Sequence, residues 1–260
     1  MIPVLEFNIS ARYGARAVLH GVRGSIAAGE IVSLVGLSGS GKSTLALALL
    51  RLLDYRGGSV TGTILLEGRE LTTLSSKEIR AIRGRRIGYV PQSPASALNG
   101  KLKVRTLLDE TWRAHRAGRP DGDFYSGLLE RVQLPGTTDF VQRRSGELST
   151  GQGQRLLIAL AIMHQPALLL ADEPTSALDA ITQAAVLRLF EDLNRRLGTA
   201  ILFISHDLLS VASLSQRVDI LHEGRVVESG TPADIFLHPR HPFTRDLVAA
   251  MPRDPLPRES

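Results

Sequence analysis

Apolar residues recur along this chain in two spacings that alternate with each other. Residues 4–9 switch in part between apolar and polar side chains, as a half-buried strand does, and Arg12-Tyr13-Gly14 turns out of it. Residues 30–35 predict a second strand, which ends in a loop rich in Gly and Ser. Residues 43–50 then read as a helix. Leu and Ala fill it, neither Gly nor Pro interrupts it, and the stretch 54–58 closes it. Strands over 61–67 and 86–90 follow, with a helix over 75–82 between them.

From Ser93 to about Leu148 the strand pattern fades, and 104–117 and 124–132 look helical between turns containing Gly and Pro. After Gly151 the alternation returns. It gives a helix to Met163, a strand over 167–171, a helix over 180–197 and a strand over 199–204. A helix over 207–214, strands near 217–221 and 225–228, and a Pro-rich tail after Thr231 complete the reading. The pattern predicts an α/β core over 1–92 and 151–230, an inserted α-helical subdomain over 93–150 and an extension over 231–260.

Composition narrows the class. A chain of 260 residues that is 43% hydrophobic is too apolar for disorder and long enough to bury a substantial core. It has no Cys, which excludes disulfides, thiolate zinc sites and Cys-ligated iron–sulfur clusters within these residues. The longest clear apolar run, 156–163, falls well short of the roughly 18 residues that span a bilayer. Met1-Ile2-Pro3 and the residues after it lack the basic and apolar regions of a signal peptide, so the expectation is a soluble intracellular protein. The net charge of +5 is modest. It suits ordinary solubility and leaves nucleic acid or an anionic membrane surface open as partners. Only four basic residues are Lys, at 42, 77, 101 and 103.

One of those lysines sits in a motif. Gly36, Ser38, Gly39, Ser40, Gly41, Lys42, Ser43 and Thr44 spell G-x-x-x-x-G-K-S-T between a predicted strand and a predicted helix. Glycines let successive N–H groups converge on phosphate oxygens, and the helix adds the positive end of its dipole. Lys42 reaches the outer phosphates and Ser43 ligates Mg²⁺ in such a loop. Further on, an apolar run ends in Asp172-Glu173. This is either a strand finished by solvated acids or, beside a phosphate loop, a Mg²⁺ ligand (Asp172) followed by a base for the attacking water (Glu173). A second apolar run delivers Ser205-His206-Asp207 to the same expected sheet edge, where His206 can donate to a γ-phosphate. His20, His115, His164 and His222 read as structural, and His238 and His241 as packing and turn residues.

Taken in order, these segments resemble the ATPase subunit of ABC transporters along nearly the whole chain. The resemblance implies a RecA-like P-loop NTPase core, an antiparallel β region and a helical subdomain. It places Tyr13 against adenine and makes Tyr89-Val90-Pro91-Gln92 the Q-loop, with Gln92 near Mg²⁺ and the attacking water. It also makes Ser176-Ala177-Leu178-Asp179 the D-loop and Leu148-Ser149-Thr150-Gly151-Gln152 the signature. In that family the signature, here Ser149, Gly151 and Gln152, caps ATP bound by an opposite subunit, so a dimer is implied. Thr150 stands where the family usually has Gly, and a β-branched residue there crowds the approach. The composite site using this signature is therefore expected to be the weaker of two.

The tail, with His241-Pro242-Phe243-Thr244, resembles that of oligopeptide, dipeptide and nickel importer ATPases. Gly57 to Gly62 and Ser96-Ala97-Leu98-Asn99 resemble one of the two unlike ATPases such importers pair, although Gly100 replaces the usual Pro. The implied partners are a second, non-identical ABC ATPase subunit, two transmembrane permease subunits and an extracytoplasmic solute-binding protein, with no nucleic acid expected. The implied place is the cytoplasmic face of the membrane. Two alternatives stay open at this point: the ATPase of an exporter, and a non-transport ABC ATPase acting on nucleic acid or ribosomes.

Overall fold

The computed structural model describes residues 2–250, and within them every side chain but that of Leu209. The part of the expected extension over 251–260 lies outside the described residues. Strands β1 (Leu5–Tyr13) and β2 (Arg16–Ile26) form an antiparallel hairpin, and β3 (Ile31–Val35) leads through the Gly/Ser loop into α1 (Lys42–Leu49). Strands β4 (Gly58–Leu66) and β5 (Arg69–Glu70) complete an antiparallel sheet of order β2-β1-β4-β5. Next come α2 (Ser76–Ile82), β6 (Ile87–Val90) and five helices: α3 (Pro94–Ala97), α4 (Val104–Arg113), α5 (Phe124–Arg131), α6 (Thr138–Gln142) and α7 (Thr150–Ile162).

The remainder runs β7 (Leu168–Asp172), α8 (Ala180–Leu197), β8 (Ala200–Ser205), α9 (Leu208–Leu214), β9 (Arg217–His222) and β10 (Arg225–Gly230). Helices α10 (Pro232–Leu237) and α11 (Pro242–Ala249) follow. The second sheet has the order β10-β9-β3-β8-β7-β6, parallel from β9 to β6, with β10 antiparallel at its edge.

Both faces of this sheet are covered, which is why β3, β7 and β8 are buried at every position and are mainly apolar, with Ser33 inside β3 and Asp172 and Ser205 at the strand ends. On one face Leu34, Leu170 and Ile204 share a core with Leu5, Ile9 and Leu19 of the antiparallel sheet and Leu45 and Leu49 of α1. On the other, Leu108, Trp112, Leu129 and Phe140 share a core with Ile158, Phe190 and Phe203. The helical stretch thus has no core separate from the sheet. Whatever moves it must work against packing on α7 and α8.

Several elements escaped the hydrophobic pattern, β2 and the two tail helices chief among them. Strand β2 buries Leu19, Val22 and Ile26, a spacing of three and four that imitates a helix. The cause is a register shift between Ile9 and Ala11 of β1, opposite Gly21 at φ +63, which inserts extra chain into the hairpin. The tail also folds. Each of its helices opens with Pro at the first position, where a missing N–H costs nothing, and Thr231 with Asp234 forms a capping box. Ile235 is buried among Val35, Val211 and Ile220, so the tail packs on the core.

Candidate functional site

Because β3, β7 and β8 run parallel, they deliver the residues after Val35, Asp172 and Ser205 to one edge of the sheet. At Gly36 the chain lies so close to β9 that a Cβ would fall 2.2 Å from the Leu221 carbonyl oxygen. Gly39 and Gly41 have φ of +83 and +109, conformations that L side chains rarely adopt. Gly41 is the N-cap of α1 and offers no side-chain cap, so the first-turn amides of α1 face outward as an anion-binding end. Ser38 and Gly39 are exposed and Thr44 is half-buried. Ser40 Oγ is buried without a hydrogen-bond partner among the described residues. This cradle suits phosphate oxygens.

Lys42 is almost fully buried. Its Nζ donates to the carbonyls of Gly36 at 2.8 Å and Leu37 at 3.0 Å and lies 3.7 Å from Glu173 Oε1. Burial pushes its pKa down, while the charges of Glu173 and Asp172 pull the other way. Ser43 Oγ donates to Asp172 Oδ1 at 3.1 Å, and the Tyr89 hydroxyl donates to Oδ2 at 3.4 Å. Burial raises the Asp172 pKa and the Ser43 hydrogen bond opposes it. Burial and then the Asp172 charge raise that of Tyr89. The hydroxyl of Ser43 and the carboxylate of Asp172 are hard oxygen donors held together, a set that fits Mg²⁺.

Glu173 gathers the rest. Its φ of +47 is a left-handed conformation costly for a side-chain-bearing residue, of the kind found at functional sites. Its N–H donates to Ile204 O at 2.9 Å, one step past the β7–β8 ladder. Glu173 Oε2 accepts from Gln92 Nε2 at 2.9 Å and lies 3.2 Å from His206 Nδ1. Lys42 at the start of α1 and Gln92 and His206 from two loops therefore meet one carboxylate.

The signature segment is elsewhere. Ser149 Oγ accepts from Gln152 N–H and Gln152 Oε1 accepts from Ser149 N–H, both at 3.2 Å, a capping box that starts α7. Ser149 and Thr150 are exposed. At Gly151 a Cβ would lie 2.7 Å from Thr182 Cγ2. Thr182 in turn donates to Asp179, from its N–H at 3.0 Å and its hydroxyl at 2.7 Å, and these bonds hold the Asp179 carboxyl below the ordinary range. Tyr13 ends β1, paired with Arg16 and Gly58 and packed against the core around α1. Among the histidines, His115 and His164 meet edge to face at 5.0 Å, His222 stacks on Phe243 at 3.8 Å, and His241 Nδ1 caps α11.

Sequence reasoning named Tyr89 and Ser176 only as members of the Q-loop and D-loop and gave neither a contact of its own; the Ser176 hydroxyl lies 3.4 Å from Gln92 Nε2. The signal for Tyr89 was present. Parallel pairing sets Tyr89 opposite Leu170, so the two-residue period puts it on the Asp172 side of the sheet.

A family model described as ABC transporter matches residues 19–176. The chain belongs to the ABC transporter family. Among its ABC relatives, the oligopeptide transport ATP-binding protein OppD of Bacillus subtilis (strain 168) is 39% identical over 257 residues, covering 97% of this chain and 72% of that protein. The probable D,D-dipeptide transport ATP-binding protein DdpD of Escherichia coli (strain K12) is 41% identical over 261 residues, 99% of this chain and 80% of that one. Among solved ABC structures, the fold is similar to the dimeric, post-hydrolysis ATP-binding cassette MJ0796 bound to ADP and Pi. The TM-score is 0.75 at 26% identity, over 88% of this chain and 98% of that one. This protein is accordingly an ABC-type ATPase with a nucleotide-binding cassette. Among the described residues no helix is long and apolar enough to cross a membrane.

Proposed function

We propose that this chain binds ATP with Mg²⁺ through Lys42, Ser43, Gln92 and Asp172 and hydrolyses it to power an importer of small peptides, a nickel complex or a related solute. Import is favoured over export, and over work on nucleic acid or ribosomes, by the names of the relatives that match nearly the whole chain. The chain sits peripherally at the cytoplasmic face, docked on two permease subunits served by an extracytoplasmic solute-binding protein. Its helical arm, 93–150, presents the signature. A second, non-identical ABC ATPase subunit closes over the nucleotide, its signature on the γ-phosphate bound here, while Ser149, Gly151 and Gln152 serve the opposite site.

The observation that carries the hydrolytic reading is the convergence of Lys42, Gln92 and His206 on Glu173. Mg²⁺ supplies charge neutralisation of the phosphates when bound. Glu173 orients and deprotonates the attacking water, Gln92 holds that carboxylate in place, and His206 stands ready to donate to a γ-phosphate. Tyr13 stacks on the base, and Asp179 sets the α8 terminus against the partner. Glu173→Gln keeps the hydrogen-bond geometry and removes the base. The assembled complex carrying it is expected to bind ATP with near wild-type affinity and to stay closed with ATP trapped, turning over at least a hundredfold more slowly. Rapid turnover by that variant contradicts the base assignment.

A further inference from the structure

Between Glu173 and His206 the chain makes a long excursion through a loop and all of α8 before β8 returns it to the same edge. A cavity of about 180 Å³ lies inside that excursion, lined by Glu173, Thr175, Ser176, Gln183, His206 and Asp207 among others. Its far wall is a hydrogen-bonded clasp. Gln183, in the first turn of α8, donates from Nε2 to Asp207 Oδ2 at 2.6 Å and to Ser210 Oγ at 2.7 Å. Ser210 Oγ donates to the same carboxylate oxygen at 2.5 Å, and the Asp207 N–H donates to Ser205 Oγ at 2.9 Å.

The geometry points to Gln183 as a positioning residue for hydrolysis, an inference that rests on the ATPase reading above. Asp207 is the covalent neighbour of His206, and His206 Nδ1 is 3.2 Å from Glu173 Oε2. Gln183 N–H donates to the carbonyl of Asp179, the residue that caps α8. A closed ring follows, from Glu173 along 174–179 into α8, across the Gln183–Asp207 bond, and back through His206 to Glu173. Opening the ring at Gln183 removes this hydrogen-bonded tie between the His206 loop and α8 while leaving the phosphate cradle intact. A glutamine amide is well suited to closing it. One nitrogen carries two N–H donors and serves a carboxylate and a hydroxyl at once, and donation to a carboxylate is charge-assisted. The bond also joins the cap at Asp179, which the reading above sets against the partner, to the loop at His206. A shift of α8 on dimer closure is thereby passed to the water-activating carboxylate.

The test uses the complete transporter complex and measures kcat, KM for ATP and thermal unfolding. Gln183→Met keeps length and packing but removes the donor. Gln183→Glu sets a carboxylate against Asp207, and Gln183→Glu with Asp207→Asn restores a donor–acceptor pair with the roles exchanged. The expected result is a kcat about tenfold lower for Gln183→Met and lower still for Gln183→Glu. KM for ATP and the unfolding temperature stay near wild type, and kcat recovers in the double variant. Wild-type kcat in Gln183→Met overturns the inference, as does failure of the double variant to recover, or a loss that tracks thermal stability. Glu173→Gln run alongside separates the two readings. Full turnover there sinks the ATPase assignment, whereas a dead Glu173→Gln beside a normal Gln183→Met sinks only the role of Gln183.

Discussion

Two parts of this chain are proposed to touch the same kind of nucleotide, and they are built differently. The sheet-edge half is preassembled: Lys42 and Asp172 are buried, and Lys42, Gln92 and His206 already contact Glu173. The signature turn is exposed, and the hydrogen bonds of Ser149 and Gln152 described above bond it to itself as a helix cap. Burying charges costs free energy that is recovered only by partners held in place, so the first half depends on the fixed contacts of Lys42, Asp172 and Glu173. A cap requires only its own first turn. The signature is thus a self-contained surface unit, which fits the proposal that its ligand is brought by another chain, whereas the sheet edge is a preformed vessel. The difference explains why the Gly-to-Thr departure at 150 is tolerated by the fold: Thr150 stands at the first position of α7 with its side chain in solvent.

The largest effect expected from breaking this contrast is at Lys42. Lys42→Ala removes the buried cation that faces the phosphates, and ATP affinity of the isolated chain, read by titration, is expected to fall about a hundredfold or more. Retained affinity contradicts the assignment of the fixed half. A smaller effect is expected at Thr150. Thr150→Gly removes the β-branched side chain from the face proposed to meet the opposite nucleotide, and ATPase turnover of the assembled complex is expected to rise a few-fold. No change, or a loss, removes the idea that this signature makes the weaker site.

Much of the sheet edge was legible in the sequence because its chemistry is written in local strings: the loop ending in Lys42-Ser43, the apolar run ending in Asp172-Glu173, and the run ending in Ser205-His206. Parallel order follows from apolar strands alternating with helices, which is why β8 beside β7 was foreseeable. What stayed hidden depends on register or on side chains far apart in sequence. Strand β2 was masked by the shift near Gly21. The tail helices were masked by prolines that in fact begin them. The Gln183–Asp207 clasp spans 24 residues and leaves no periodic trace. Gly153 is a further case. It falls inside a helix, where Gly is unfavourable, yet a Cβ there would meet Pro94 Cβ at 2.9 Å, so the residue exists to let α3 lie against α7. Only the packed structure gives it a reason.

The central claim is that one nucleotide is shared by unlike halves from two chains, and Ser149→Ala tests it most directly. The substitution costs α7 its cap, about 1 kcal/mol of stability, and leaves the phosphate loop untouched. ATP binding to the isolated chain and ATP turnover by the assembled complex are measured on the same variant. The account predicts binding within about twofold of wild type and turnover about tenfold lower. Loss of ATP binding by the isolated chain on the scale of Lys42→Ala would place Ser149 in its own chain's site and contradict the division.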